Sequence, residues 1–220
     1  MSATLHLAVR DVGRMPYAEA LEMQYRLVEQ RRAGQVSDTL LLVEHPPVIT
    51  MGRKADDDDI IVPREQLAAA GVEIHRITRG GEATYHGPGQ IVGYTIIDLA
   101  GHQRKVRLFV ERMEEVFVRL LAQCYGIEAQ RDDEHRGVWV GDRKITAIGI
   151  AITRAITMHG FAFNVAPDLS HFEWIVPCGI RDRGVTSLEQ LLGRTPDIDT
   201  VKQQVVASFC DVYGYTLSAG

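Results

Sequence analysis

The sequence predicts an α+β domain, a mixed or antiparallel central sheet with helices packed on it. Three observations carry this. Short runs rich in β-branched residues recur along the chain, several with apolar and polar residues alternating. Helical periodicity is confined to a few segments, too few to alternate with strands as a regular βαβ fold requires. No repeat, low-complexity tract or linker divides the 220 residues, so residues 1–220 are expected to form one domain, and 45% hydrophobic residues can supply a sizeable core.

In chain order, residues 5–9 read as a short strand. Pro16 suits a first helical turn, Leu21, Tyr25 and Val28 follow at helical spacing, and Gly34 ends the element. Residues 39–43 are continuously apolar, as expected of a strand covered on both faces. Residues 48–51 resume extended structure. The run Asp56-Asp57-Asp58-Asp59 is read as a solvated loop rather than a cation site, because adjacent like charges repel. Residues 63–70 form a short helix stopped by Gly71. Residues 72–77 and 91–97 read as strands. The longest helix spans 106–125, with Phe109, Val110, Met113, Val116, Phe117, Leu120, Leu121 and Cys124 in one apolar stripe and Gly126 as its cap. Cys124 is therefore expected to be a buried small hydrophobe. Residues 138–140 and 144–150 pair as a hairpin, and 156–165 form one more strand, with Met158, Gly160, Ala162 and Asn164 on one face. Small residues there either leave room for a ligand or permit close packing. Residues 168–174 form a loop or helical turn. Ser187 caps a helix over 188–192, and a last helix runs from about 200 to 213, with Cys210 beside its core face.

Composition excludes several functions. The net charge of −5, with acids and bases interspersed, gives nucleic-acid binding no support. No leader peptide and no run long enough to span a bilayer is read, so no membrane partner is expected. Three widely spaced cysteines, Cys124, Cys178 and Cys210, fit a reducing, cytoplasmic setting without disulfides. No HExxH, paired CxxC or two-histidine spacing points to a metal, and no phosphate-binding motif points to a nucleotide.

One stretch stands out. Residues 79–90, RGGEATYHGPGQ, separate two strands that a turn of two to five residues could join. Its glycines allow positive φ and close backbone approach, while Arg79, Thr84, Tyr85 and His86 can hydrogen-bond. A solvated loop is the plain alternative; polar groups set among glycines between buried strands favour a binding loop. Cys178, between Pro177 and Gly179, belongs to no amphipathic helix. It either fills a turn or acts as a nucleophile, and a nucleophile needs a cation or base nearby. His86, His159, His171 and Lys144 are the candidates, although His159 also reads as a core histidine and His171 as packing beside Phe172 and Trp174. Lys144 opens an apolar run, either as an exposed hairpin end or as a buried partner whose ammonium would favour the Cys178 thiolate.

These residues resemble a known family. RGGEATYHGPGQ at 79–90, HPPVITMGR at 45–53, KITAIG at 144–149, TMHGFAFNV at 157–165 and IVPCGI at 175–180 with VTSL at 185–188 are similar, in order, to blocks of the octanoyl-(acyl carrier protein):protein N-octanoyltransferases, the lipoate-protein ligase B family. Glu82, where glutamine is commoner, and Phe163, where leucine is common, are departures that bear on chain-length preference. The resemblance implies the fold of the biotin and lipoate ligase catalytic domains, with a smaller sheet beside the mixed one. It implies Cys178 as acyl-carrying nucleophile and Lys144 as the residue that tunes it and handles protons. An acyl pocket would be lined by Arg79, Gly80, Gly81, Glu82, Ala83, Thr84, Tyr85, His86, Ala147, Ile148, Gly149, Gly160, Phe161 and Ala162. The implied reaction moves an octanoyl group from acyl carrier protein, through a Cys178 thioester, to a lysine of lipoyl domains, the first step of endogenous protein lipoylation. Acceptors would be the E2 subunits of 2-oxoacid dehydrogenases and the glycine cleavage H protein, with no cofactor or ATP. Three rivals remain open: an ATP-dependent lipoate or biotin ligase, a non-catalytic acyl-binding module, and a cysteine hydrolase using His159 or His86.

Overall fold

Strand β2, Asp38–Glu44, shows how the layers are built. Every residue of it but the last is buried, because its two faces enter two different cores. Leu40 and Leu42 pack with helices α3 (Val106–Tyr125) and α5 (Ile198–Tyr213). Leu41 and Val43 pack with α1 (Tyr17–Arg32) on the other side. The computed structural model describes residues 5–132, 134–176 and 183–218. Among these, a mixed nine-stranded sheet runs in the order β12-β1-β2-β6-β10-β9-β8-β7, with β11 paired to β9. Here β1 is Leu5–Arg14, β6 Gln90–Ile96, β7 Gln130–Arg131, β8 Val138–Val140, β9 Arg143–Thr153, β10 Ile156–Asn164, β11 Gly184–Val185 and β12 Tyr215–Leu217. A smaller sheet, β4-β3-β5, is formed by Glu73–Arg76, Val48–Met51 and Ala83–His86. Helix α2, Arg64–Ala69, contributes Leu67 to its core, and a 3-10 segment, Leu169–Trp174, contributes Phe172. The α+β class with a mixed sheet, a smaller sheet and flanking helices is therefore observed.

Most boundaries follow local chemistry. Gly126 and Gly214 take left-handed φ of 66° and 74° and end α3 and α5. The Ser187 hydroxyl accepts the Gln190 N–H and starts α4, Leu188–Leu192. The differences are informative. Residues 79–90 are not one loop, since β5 is embedded in them and pairs antiparallel with β3 from Ala83↔Met51 to His86↔Val48. The first strand is longer than residues 5–9, and β7 and β12, of two and three residues, are additional. Cys124 is exposed, not buried: residues 122–124 all face solvent, and in this last turn of α3 it is Tyr125 that packs against the core. Cys210 is half-buried beside the core, as its position suggested. The acidic run 56–59 is solvated and half-capped by its own carboxylates, with Asp57 paired to Arg64 and Arg76.

Candidate active site

The floor of the site is the middle of the large sheet. On β10, Gly160 pairs with Gly149 of β9 and Tyr94 of β6, and Ala162 pairs with Ala147 and Val92. Glycine or alanine at four of these positions leaves a furrow between taller neighbours. The smaller sheet and the loop before it form the roof. The Gly80 N–H donates to the Ile150 carbonyl at 3.0 Å, which fastens that loop across β9. Between roof and floor is a slot of about 50 Å³ lined by Tyr17, Ile77, Arg79, Gly80, Gly81, Thr84, His86, Val92, Tyr94, Ala147, Ile148, Gly149, His159, Gly160, Phe161 and Ala162.

Period-two alternation sorts the residues of β5. Thr84 and His86 face the slot; Ala83 and Tyr85 face the small-sheet core. Tyr85 meets His171, its hydroxyl 2.7 Å from Nδ1, and packs edge-on to Phe172 and Trp174. Glu82 precedes the strand, where its carbonyl accepts the Gly52 N–H. So Glu82, Ala83 and Tyr85 are outside the slot lining, and the other eleven residues assigned to an acyl pocket from the sequence are in it. Tyr17, Ile77, Val92, Tyr94 and His159 line it without having been named as pocket residues. Alternation along residues 91–97 puts Val92 and Tyr94 on one face and could have suggested that pair; nothing in the sequence points α1 at the slot.

A second, smaller cavity of about 20 Å³ adjoins the slot. It is lined by Thr84, Gln90, Lys144, Ala147, Ala162, Asn164, Phe172 and Val185. Thr84, Ala147 and Ala162 belong to both. Lys144 is thus not an exposed hairpin end: it is 6% exposed. Its Nζ sits 4.8 Å from the centroid of the Trp139 ring, a cation–π contact, and Arg183 stacks on the same indole at 5.1 Å. Among the described residues no carboxylate pairs with Lys144. Cys178 is outside the described residues. The interval that contains it is flanked by Val176 and Arg183, which line one surface cavity with Arg143 and Val185. Val185 pairs with Lys144 itself.

A buried hydrogen-bonded chain ties slot to lysine. The Tyr85 carbonyl and the Thr186 carbonyl accept from Gln90 Nε2 and Asn164 Nδ2, which fixes both amides. Gln90 Nε2 also donates to Asn164 Oδ1 at 2.8 Å. Gln90 Oε1 must then accept from His86 Nδ1, 2.7 Å away. His86 Nε2 is left to accept from the Thr50 hydroxyl, which itself accepts from Arg79 Nη2. Burial pushes His86 down to about 3, and His45 and His159 to about 4. All three imidazoles are neutral at physiological pH. His86 is a neutral, fully engaged strut, and His171 is stacked on Trp174 at 4.2 Å. No group of three histidine, cysteine or carboxylate side chains among the described residues is arranged to hold a metal.

The family model of lipoyl protein ligase A/B catalytic domains matches residues 16–210. The chain is 49% identical to an octanoyltransferase of Alkaliphilus metalliredigens over 97% of this chain and 98% of that one. It is 53% identical to an octanoyltransferase of Caldicellulosiruptor saccharolyticus over 90% and 85%. Among solved structures it is similar to a chain from the Thermoplasma acidophilum study of a bi-partite lipoate protein ligase and its E2 lipoyl domain. The TM-score is 0.75 at 18% identity, covering 99% of this chain and 86% of that one. At that identity the likeness is one of fold.

Proposed function

We propose a function from one premise: the chain belongs to the lipoyl protein ligase A/B catalytic family, in its octanoyltransferase branch. It is an acyltransferase that delivers octanoyl groups for protein lipoylation. The finer reading is that octanoyl-acyl carrier protein is the donor and the lysine of a lipoyl domain, on an E2 subunit or the H protein, is the acceptor. The observation that carries it is that the apolar slot shares Thr84, Ala147 and Ala162 with the adjoining cavity lined by Lys144.

In this mechanism the Cys178 thiolate attacks the thioester carbonyl of the donor, and the tetrahedral oxyanion collapses with loss of the carrier thiolate, which takes the proton of the Lys144 ammonium and leaves Lys144 a neutral amine. The acyl group is now a Cys178 thioester. The acceptor amine attacks the same carbonyl, Lys144 takes the proton it sheds, and collapse releases the amide and returns the Cys178 thiolate. Thioester to thioester is nearly level in energy and thioester to amide is downhill, so no ATP is required. Backbone N–H groups would stabilise the oxyanion, each by a few kcal/mol in comparable sites. The slot supplies binding: an alkyl chain contributes about 0.8 kcal/mol for each buried CH₂. It is narrow, so its lining has to give way as the chain enters.

The test is incubation of the protein with octanoyl-acyl carrier protein and an apo lipoyl domain, without ATP, followed by intact-mass spectrometry. The domain is expected to gain one octanoyl group, and the enzyme a transient adduct at Cys178. Lys144→Ala is expected to abolish turnover while the circular dichroism stays that of the folded protein. Transfer that depends on ATP and free octanoate would refute the reading, as would near-normal turnover by folded Lys144→Ala.

A further inference from the structure

We propose that His159, held by Gln24 and joined by Tyr17, closes the far end of the slot and sets the length of acyl chain it admits. The inference rests on the octanoyl transfer proposed above and assigns specificity to residues outside the reacting centre.

His159 has φ of 58°, a left-handed conformation that a bulky side chain in the middle of a strand rarely adopts. The regular ladder between β10 and β6 runs from Asn164 back to Gly160 and ends there. The next N–H, that of His159, is taken by Gln24 Oε1 from α1 at 2.9 Å. So a helix side chain holds the His159 N–H, while Thr95 Oγ1 of β6 donates to its carbonyl at 3.3 Å and Ile150 of β9 pairs with it. His159 is 2% exposed, Tyr17 2% and Gln24 0%. Yet His159 Nε2, the Tyr17 hydroxyl and Gln24 Nε2 have no hydrogen-bond partner among the described residues. Along β10, Asn164 lines only the cavity of Lys144, Ala162 lines both, and Gly160 and His159 line only the slot, so His159 lies at the end away from Lys144, with Tyr17 in the same lining.

The length along β10 agrees with eight carbons. From Ala162, shared by both cavities, back to His159 is three strand residues, roughly 10 Å. Seven carbon–carbon bonds of about 1.5 Å at near-tetrahedral angles span roughly 9 Å. An apolar end wall would yield to further CH₂ groups. A wall of two buried rings edged by polar atoms does not, because a longer chain would have to displace the rings, and a methylene held against polar atoms gains less than its transfer free energy.

The experiment compares initial rates of transfer to an apo lipoyl domain from C6, C8, C10 and C12 acyl carrier proteins. The enzymes are the wild type, His159→Gly and Tyr17→Phe. Glycine adopts a left-handed φ without strain, so His159→Gly empties the end of the slot without forcing the backbone. Its C10:C8 rate ratio is expected to rise about tenfold, the worth of two newly buried CH₂ groups. Tyr17→Phe, which deletes only a hydroxyl, is expected to raise the ratio less. A uniform loss at every length, with the ratio unchanged in both variants, would overturn the inference while leaving octanoyl transfer standing. Should His159→Gly not fold, Tyr17→Phe decides alone. A wild type that transfers no octanoyl group sinks the activity and this inference with it.

Discussion

A single amide decides whether the slot is rigid. Gln90 is bonded on both sides: its Oε1 to His86, its Nε2 to Asn164 and to the Tyr85 carbonyl. Gln90→Leu keeps the bulk but strands His86 Nδ1–H and two acceptors in a dry interior. At about 1–3 kcal/mol for each orphaned group, the cost is expected to reach several kcal/mol, read as a lowered midpoint in urea unfolding. A loss below about 1 kcal/mol would mean that His86 and Asn164 are not held in this way. The residue types of this chain were visible in the sequence, but not their wiring. Gln90 read as the end of a glycine stretch and Asn164 as one position on a strand face. What joins them is a pairing between β6 and β10 across more than seventy residues. Lys144 was legible as an anomaly, a cation at the head of an apolar run. Its burial depends on Trp139, supplied by the strand on the other side of the turn. His159 was legible as a strand histidine and a candidate base, but not as part of the slot wall, because positive φ leaves no mark in composition.

Helices with a long period were read correctly; of the short elements, β3, β8 and α4 were read at their observed bounds, while β5, β7 and β12 were not seen. Helix α3 repeats its apolar stripe over twenty residues, and its extent, Val106–Tyr125, is the one expected. Strand β5 has four residues, set among glycines, and its only support is the ladder to β3, distant in sequence. The stripe itself was over-extended by one turn, since periodicity says which side a residue faces but not whether anything is there to cover it; Cys124 faces the right way and meets water. Within the stripe, Phe117 does the most to join helix and sheet. Its ring centroid is 4.8 Å from that of Phe161 and 5.1 Å from that of Phe163. Phe117→Ala is expected to cost about 3–5 kcal/mol, as large aromatic truncations in cores do. Phe161 also lines the slot. Octanoyl transfer at temperatures where the variant stays folded is therefore expected to fall, whereas Phe117→Leu should recover most of both losses. Full activity in a destabilised Phe117→Ala would show that the slot does not depend on the helix beneath it.

For the whole molecule, the consequence of burying a polar cluster at its centre is a stability that depends on pH. His45, His86 and His159 converge from β2's end, β5 and β10, with the His45 and His86 rings 6.0 Å apart. In an unfolded chain each would titrate near ~6.5. Folded, burial holds them at about 4, 3 and 4. Between those limits the unfolded state binds protons that the folded state refuses, so stability rises with pH. It is fully present above about 6.5 and is lost as pH falls toward 4, by up to about 1.4 kcal/mol per pH unit for each histidine. Mutual repulsion in the cluster spreads the loss downward, since His45 lowers His86 further. Asp132, held at about 2 chiefly by its bond to Arg183, is depressed below its ordinary value of 3.8, so its contribution is lost only below that range and does not blur the histidine window. The thermal midpoint is thus expected to be level from pH 8 to 7 and to fall steeply from 6.5 to 4. His45→Gln, which still reaches the Tyr94 hydroxyl, should make that slope shallower. A midpoint that stayed level from 6.5 to 4 would mean that these imidazoles are not buried neutral, and the slot's inner wall would have to be charged, which no alkyl chain would tolerate.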